Sequence, residues 1–289
     1  MKRNAIILAA GTSSRFIPLS YELPKGLLKV KGEILVERQI RQLQKAGIMD
    51  ITLVVGYQAE KFEYLKSKFS VSIVNNPDYW KYNNTSSLML VLDKLDNTFI
   101  CSSDNYFQEN VFLEECSTAY YSAIYMQGNT SEYCVQFDKD GIIKEVHIGG
   151  KNSYVMLGHV YFNSEFSKKF REILKEEYLE EETRTKLWEQ VYMKHISKLP
   201  MKIKKYQENM IYEFDSLEEL RNFEPNFQSD SKIMKNITSF FSCEEKDITD
   251  FIAKERAESH FSFFFQYQKD VYLYFQEEKK FYIEKMKSV

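Results

Sequence analysis

Short apolar runs alternate with helical patterns over the first part of the chain. Between the runs, apolar residues recur at helical spacing, as at Val36, Ile40 and Leu43. This alternation is typical of βαβ crossovers, and it predicts a mostly parallel sheet flanked by helices. The four runs are rich in β-branched residues and predict buried strands: AIILAA (5–10), ITLVV (51–55), VSIV (71–74) and TFICS (98–102).

The pattern changes in the middle of the chain. Between residues 119 and 162, four apolar runs follow one another with turn signals such as DKDG and no helical pattern, so we expect antiparallel strands added to the sheet. Two helical patterns follow at 164–182 and 183–196, then two short strands and a helix that begins after Ser216. The predicted fold class is α/β, a Rossmann-like, mostly parallel mixed sheet, with a main domain over residues 1–225.

The C-terminal part of the chain has a different pattern. Residues 226–234 resemble a linker, and residues 235–289 contain the aromatic, hairpin-like stretch SHFSFFFQYQKDVYLYFQEEKKFYIEKM. We expect two strands and a helix here, a small α+β appendage. Because so few elements bury little apolar surface alone, the appendage should pack on the main domain or on another subunit.

The composition is that of an ordinary soluble protein, with 44% hydrophobic residues, 28% charged residues and a net charge of −3. The chain lacks the clustered positive charge that sequence-independent nucleic-acid binding needs, and no segment is long enough to span a bilayer. Its four cysteines form no CxxC pair, which disfavours a zinc site or a disulfide framework. We expect a cytoplasmic protein that neither binds nucleic acid nor inserts into a membrane.

The loops after the predicted strands are candidate sites, because ligands of open α/β sheets bind at the carboxyl ends of the strands. The first loop, AAGTSSR, lacks both the GxGxxG fingerprint and the GK[ST] of a P-loop. It still offers unobstructed backbone N–H groups, and Gly11 permits a tight turn. Arg15 and Lys25 add two cations suited to phosphate oxygens. The alternative is an ordinary strand-to-helix loop with surface cations.

Two carboxylates also stand at predicted strand ends, Asp104 after FICSS and Asp215 after IYEF. Together with phosphate oxygens they would make the oxygen-rich set that Mg²⁺ prefers. Taken singly, each is better explained as a turn residue or a helix cap, so a site requires that they converge on the first loop. The aromatic residues Tyr133, Tyr161 and Trp188 suit either a cation-binding box or core packing.

These residues lie in segments that resemble a known family. LAAGTSSRF and PKGLLKV resemble the signature of the nucleoside-triphosphate transferase superfamily, whose fold is of the nucleotide-diphospho-sugar transferase type. The segments VVGY, YNNTSSL, CSSDNYF, EYCVQF, LGHVYF, LWE and IYEFDSLEEL are similar, in order and spacing, to the bacterial CTP:phosphocholine cytidylyltransferases. The resemblance covers roughly residues 3–224.

The resemblance implies that CMP is transferred from CTP to a phosphomonoester, most simply phosphocholine, with release of pyrophosphate and with Mg²⁺ as cofactor. The implied catalytic groups are Arg15 and Lys25 on the triphosphate and Asp104 and Asp215 on the metal. The implied nucleotide contacts are Leu8, Ala9, Ala10, Gly11, Thr12, Ser13, Ser14, Arg15, Lys25, Gly56, Tyr57, Asn83, Ser87 and Asp104. The implied acceptor contacts are Tyr133, Tyr161, Trp188, Glu189 and Glu213.

Two departures from the family pattern leave alternatives open. Ser13 stands where the phosphate loop usually has a second glycine, and Tyr133 and Leu187 stand where Trp and Tyr are expected in the choline box. The acceptor is therefore phosphocholine, phosphoethanolamine or an aminophosphonate, and a sugar-1-phosphate nucleotidylyltransferase is a further alternative. The alternative of another class is a catalytically inactive nucleotide-binding or assembly module.

The C-terminal stretch has its own resemblance. The segment DITDFIAKERAESHFSFFFQYQKDVYLYF is similar to the opening strands of choline-kinase-type phosphotransferases, which some bacterial proteins carry fused behind this cytidylyltransferase. The chain ends before a kinase catalytic loop, so we expect no kinase activity. The resemblance implies a remnant with a structural role or a role in homo-oligomer formation.

Overall fold

The computed structural model describes residues 2–256, 260–278 and 280–286. These residues form two compact units that the chain visits alternately. Unit 1 consists of Met1–Thr12 and Glu33–Glu213, and unit 2 consists of Ser13–Gly32 and Phe214–Val289. The segment with Arg15 and Lys25 therefore groups with the C-terminal residues. The domain limits near residues 225 and 235 stay a prediction.

Unit 1 contains a seven-stranded mixed sheet, as predicted. The four apolar runs form its parallel part, in which β1 pairs with β4 and β6, and β4 pairs with β5. These strands are β1 (Asn4–Ala9), β4 (Asp50–Val55), β5 (Ser72–Asn75) and β6 (Thr98–Ser102).

The predicted antiparallel strands are present. The four runs between residues 119 and 162 form two long strands, β8 (Tyr120–Phe137) and β9 (Ile143–Phe162). Register shifts, one of them between Met126 and Asn129, allow the pairing to continue through the polar stretch 127–132. β9 joins the sheet antiparallel to β6.

Unit 1 contains three further strands, one at the edge of the large sheet and two in a separate pair. β10 (Lys202–Tyr206) lies parallel to β8, which gives the sheet order β10-β8-β9-β6-β1-β4-β5. β7 (Asn105–Phe107) and β11 (Ile211–Glu213) form a separate antiparallel pair.

The helices of unit 1 cover the sheet with the predicted apolar faces. Val36, Ile40 and Leu43 are all fully buried, which confirms the helical spacing. The pattern at 183–196 is interrupted by a loop, so it gives two short helices. Unit 1 contains β3 (Glu33–Ile34), α2 (Leu35–Lys45), α3 (Tyr64–Phe69), α4 (Asn84–Leu90), α5 (Ser164–Glu177), α6 (Glu181–Arg184) and α7 (Trp188–Lys194).

Unit 2 contains more strands than predicted. Its C-terminal part is a four-stranded antiparallel sheet in sequence order, with Phe263, Phe265 and Tyr274 fully buried. Residues 257–259, 279 and 287–289 of the predicted appendage lie outside the described residues. The elements of unit 2 are α1 (Leu19–Glu22), β2 (Lys29–Val30), α8 (Leu217–Phe223), α9 (Lys232–Phe241), β12 (Ile248–Arg256), β13 (His260–Tyr267), β14 (Asp270–Glu277) and β15 (Lys280–Lys285).

Within the part of the chain that the structure describes, no helix combines the length and the apolar character needed to cross a membrane. All four cysteines are described and each is a free thiol.

The close approach at the end of β4 gives a first prediction. A Cβ at Gly56 would lie 2.6 Å from the Cβ of Tyr79 and 2.9 Å from the backbone oxygen of Ala10, whereas a Cβ at Gly11 would meet nothing within 4 Å. We expect Gly56→Ala to lower the free energy of unfolding by about 1–3 kcal/mol because of this overlap. The matched variant Gly11→Ala should change it by less than about 0.5 kcal/mol. Urea denaturation checks both values, and equal effects would contradict the steric explanation.

Candidate active site

Three loops of unit 1 meet at the carboxyl edge of the parallel strands. The backbone N–H of Tyr57 donates to the oxygen of Ala10 at 3.2 Å, and that of Ser103 donates to the oxygen of Leu8 at 3.0 Å. The residues that follow β1, β4 and β6 are therefore held against one another. This edge carries the predicted nucleotide residues of unit 1 that precede Ser13, together with Gly56, Tyr57 and Asp104.

The start of α4 carries the other two predicted nucleotide residues. The side-chain oxygen of Asn83 caps the helix by accepting from the N–H of Asn84 at 2.8 Å. Ser87 is buried, and its hydroxyl accepts from the amide nitrogen of Asn76 at 3.0 Å. Asn76 also donates to Ser86 at 2.9 Å, so it ties the loop after β5 to α4. The sequence analysis missed Asn76, whose only local signal was its position between Asn75 and Pro77.

A buried glutamine braces the turn that carries Asp104. The side-chain nitrogen of Gln39 donates to the backbone oxygens of Ser102 and Asn105, both at 2.8 Å. Asp104 lies between these two anchor points. Asn105 in turn donates to Glu213 at 3.0 Å, so the Glu213 carboxylate lies beside the same turn. The sequence analysis missed Gln39 because its partners are main-chain atoms that are distant in sequence. The one sequence signal was the position of this polar residue beside the apolar Ile40.

In unit 2, the two cations predicted for the triphosphate both form ion pairs with one carboxylate. Arg15 Nη1 lies 2.8 Å from Asp215 Oδ2, and Lys25 Nζ lies 3.5 Å from Asp215 Oδ1. Lys25 Nζ also donates to the backbone oxygen of Phe214 at 2.5 Å. The Lys25 side chain is only 11% exposed, whereas that of Arg15 is 72% exposed. Lys25 is therefore fixed in place, and Arg15 contributes a weaker, solvent-screened pair.

The tight turn of the first loop is at Ser13 rather than at Gly11. Ser13 has the left-handed backbone conformation, with φ 53° and ψ 39°, and Gly11 does not have a positive φ. This conformation costs a non-glycine residue roughly 1–2 kcal/mol. Two hydrogen bonds offset the cost: the Ser13 hydroxyl accepts from the N–H of Lys25 at 3.3 Å, and its carbonyl accepts from Phe16 at 2.9 Å. The serine therefore links the loop to Lys25.

A carboxylate and a phenol form the centre of the predicted acceptor group in unit 1. The hydroxyl of Tyr121 donates to Glu189 at 3.1 Å, and the side chain of Asn84 donates to the other carboxylate oxygen at 3.5 Å. Removal from water raises the pKa of Glu189 to about 7, because burial disfavours the charged form. Burial and the charges of Glu189 and Glu213 raise the pKa of Tyr121 well above its ordinary value.

The aromatic residues predicted for the acceptor divide into two groups. Trp188 is buried and stacks on Tyr121 with ring centroids 5.8 Å apart, so it supports the phenol from behind. The phenol of Tyr133 is half-buried, and the charge of Glu189 helps to raise its pKa. Both fit the group around Glu189.

Tyr161 does not belong to this group, which corrects the sequence prediction. It is only 1% exposed and packs on Phe99 with centroids 4.9 Å apart. The next residue, Phe162, contacts Trp188, and successive strand residues point to opposite faces of a sheet. Tyr161 therefore lies on the face away from Trp188. Tyr121, which the sequence analysis did not select, contacts Glu189 instead.

The chain is similar to several known nucleotidyltransferases. A family model for MobA-like NTP transferase domains matches residues 5–144. The choline-phosphate cytidylyltransferase of Streptococcus pneumoniae is 32% identical over 220 residues, 76% of this chain and 96% of that protein. The 2-aminoethylphosphonate cytidylyltransferase of Lancefieldella rimae is 34% identical over 230 residues, 78% of this chain and 94% of that protein. The solved structure of the S. pneumoniae CTP:phosphocholine cytidylyltransferase matches with a TM-score of 0.76 and 32% identity, over 78% of this chain and 99% of that one.

This chain belongs to the bacterial cytidylyltransferase family. The predicted nucleotidyltransferase fold and enzyme class are thereby confirmed. The matches cover nearly the whole length of the relatives but only about three quarters of this cytidylyltransferase. It therefore has additional chain that these relatives do not share.

The donor atoms of the site suit Mg²⁺ in one particular way. Among the described residues, no group of three or more His, Cys, Asp or Glu side chains could hold a metal ion alone. Mg²⁺ in nucleotide enzymes is usually bound through one or two carboxylates and by the substrate phosphates. Asp104 and Asp215 each carry hard oxygen ligands of this kind, so the donor chemistry of each residue fits Mg²⁺, and a site that uses both stays a prediction.

The hydrogen bond between Tyr121 and Glu189 gives a prediction for this cytidylyltransferase. A donated hydrogen bond stabilises the carboxylate, so Tyr121→Phe should raise the pKa of Glu189 above its value of about 7. A cationic acceptor needs the ionised carboxylate, and its binding should therefore move to higher pH. An NMR titration of the Glu189 carboxyl carbon measures the pKa directly.

Tyr133→Phe is the matched control, since the described contacts of the Tyr133 phenol include no hydrogen bond to Glu189. Its effect on the pKa of Glu189 should be smaller. A pKa that stays the same or falls in Tyr121→Phe would contradict the role given to the hydrogen bond.

Proposed function

We propose that this cytidylyltransferase transfers CMP from CTP to a small phosphorylated amino alcohol, most simply phosphocholine. An oxygen of the acceptor phosphate attacks the α-phosphorus of CTP, the bond to the β-phosphate breaks, and pyrophosphate leaves with the electron pair. The products are CDP-choline and pyrophosphate. The observation that carries the proposal is the Glu189 carboxylate with its phenol and indole neighbours, a set suited to an organic ammonium group.

The triphosphate is assigned to the first loop and its two cations. Backbone N–H groups and side chains of residues 10–14 would bind its oxygens, and Arg15 and Lys25 would neutralise its charge. Such a transfer requires in-line positioning and charge neutralisation rather than a covalent partner. Lys25 is well placed for this role because its side chain is only 11% exposed and is already held by a hydrogen bond and an ion pair.

The base and ribose are assigned to the edge of the sheet in unit 1. The hydrogen-bonded strand ends and the capped start of α4 support this assignment, because both present backbone and amide groups that are fixed in advance. The proposed contacts are Leu8, Ala9, Gly56, Tyr57, Asn83 and Ser87.

Asp104 and Asp215 are proposed as the Mg²⁺ ligands. A bound metal would neutralise charge on the triphosphate and hold its oxygens in place. Gln39 then has the role of a positioning residue, since it fixes both sides of the Asp104 turn. Asp215 must leave Arg15 and Lys25, at least in part, before it ligates a metal.

An aminophosphonate is the second candidate acceptor. The 34% identical relative from L. rimae is a 2-aminoethylphosphonate cytidylyltransferase. A primary ammonium would donate hydrogen bonds to Glu189, whereas a quaternary one would contact it only through charge and the aromatic faces. The Glu189 carboxylate suits both acceptors, so only a comparison of the two substrates separates them.

We keep three further proposals for the whole chain. The four-stranded antiparallel sheet supports the proposed likeness of residues 235–289 to the start of a choline-kinase-type domain. The four free thiols support a cytoplasmic location. Homo-oligomer formation through the tail remains a prediction, to be checked by light scattering.

A pyrophosphate-release assay tests the proposed reaction. The folded protein is mixed with CTP, Mg²⁺ and, in turn, phosphocholine, phosphoethanolamine, 2-aminoethylphosphonate or glucose 1-phosphate. We expect turnover with an amino-alcohol phosphate or the aminophosphonate and a loss of about 100-fold or more in Asp104→Asn. The matched control is Asp93→Asn, which changes an exposed aspartate outside the site.

No turnover with any acceptor would contradict the enzyme proposal and favour the inactive nucleotide-binding module. Turnover with the sugar phosphate alone would contradict the acceptor assignment. Full activity of Asp104→Asn would contradict the metal assignment.

A further inference from the structure

The C-terminal part of unit 2 packs against the segment that carries Arg15 and Lys25. Tyr21, which lies between these two cations in the chain, stacks on Phe261 with ring centroids 4.5 Å apart and planes at 24°. The same ring lies 5.9 Å from Phe263, a fully buried residue of β13. The contact is therefore made with the core of the C-terminal sheet and not with a peripheral side chain.

The neighbouring residue Glu22 makes a second, polar contact with the same region. Its carboxylate accepts from the backbone N–H groups of Lys232 at 3.1 Å and Ile233 at 3.4 Å. These are the first two residues of α9, whose amides have no partner within the helix. A carboxylate at a helix N-terminus is also favoured by the helix dipole. Glu22 thus completes the cap that Ser231 begins by accepting from the N–H of Met234.

Helix α9 and the sheet are joined to each other, so the two contacts share one support. Phe241, at the end of α9, packs on Tyr267 at 4.5 Å and on Tyr272 at 4.8 Å between ring centroids. The side chain of Asn236 donates to the hydroxyl of Tyr274 at 3.2 Å. Tyr21 contacts the sheet and Glu22 contacts α9, and these two elements pack on each other.

We propose that α9, β13 and β14 position the triphosphate-binding segment, so that this chain uses its appendage to hold Arg15 and Lys25 ready for CTP. The role of this segment in binding CTP rests on the proposed function. Ordering a loop on binding costs conformational entropy and weakens affinity, and a loop ordered during folding avoids that cost. Lys25 follows Glu22 by only three residues, so fixing α1 restricts the main chain at the cation. The relatives match only about three quarters of this chain.

A double-mutant cycle in the full-length protein tests the proposal. The variants are Tyr21→Leu, Phe261→Leu and the double variant, and Tyr282→Leu is the matched control because that ring is half-exposed on β15 and stacks on Phe275. Amide hydrogen exchange of residues 13–32 is measured together with KM for CTP and for the acceptor. Each single variant should exchange faster in this segment and raise KM for CTP at least about threefold, with KM for the acceptor unchanged. The double variant should add little, since one contact is lost in every case.

The two readouts separate this proposal from the proposed function. Hydrogen exchange does not depend on turnover, so it tests the contact between Tyr21 and the C-terminal sheet even if the wild-type protein releases no pyrophosphate. Unchanged exchange in residues 13–32 in Tyr21→Leu and Phe261→Leu would overturn the proposal. Equal changes in Tyr282→Leu, or additive effects in the double variant, would also overturn it, because they would indicate general destabilisation.

Discussion

The ion pairs of Asp215 with Arg15 and Lys25 are the interaction on which the proposed chemistry depends. One carboxylate neutralises two cations, one of them almost buried, and so holds both in place in the absence of nucleotide. A triphosphate carries more negative charge than Asp215 and would compete for the same cations. Asp215 would then be available for its proposed role as a Mg²⁺ ligand. The three residues are thus paired with one another before the nucleotide binds. In the proposal, binding exchanges these ion pairs for contacts of the two cations with the triphosphate.

The sequence predicted the parts of this cytidylyltransferase that depend on local pattern. β-branched runs identified β1, β4, β5 and β6, and helical spacing identified the buried face of α2. Asp104 was predicted at the sheet edge because a carboxylate that directly follows an apolar strand lies there; its role stays a prediction. These features follow from periodicity and chain direction, which a single sequence contains.

The missed features depend on contacts between distant residues. Gln39 and Asn76 bind main-chain atoms or hydroxyls elsewhere in the chain, so their spacing carries no signal. Bulges in β8 and β9 change which face a residue takes, so alternation alone could not choose Tyr121 over Tyr161. Ser13 was noticed as a departure, but only the backbone showed that it adopts the left-handed turn assigned to Gly11.

Binding of CTP to Asp215→Asn tests the central claim most directly. Calorimetric titration is performed with and without Mg²⁺, and Glu218→Gln, at an exposed carboxylate of α8, serves as the control. The account predicts that Asp215→Asn binds CTP more tightly than the wild type without Mg²⁺, because its cations are no longer neutralised, and gains less affinity when Mg²⁺ is added. Affinities equal to those of the wild type under both conditions would contradict the account.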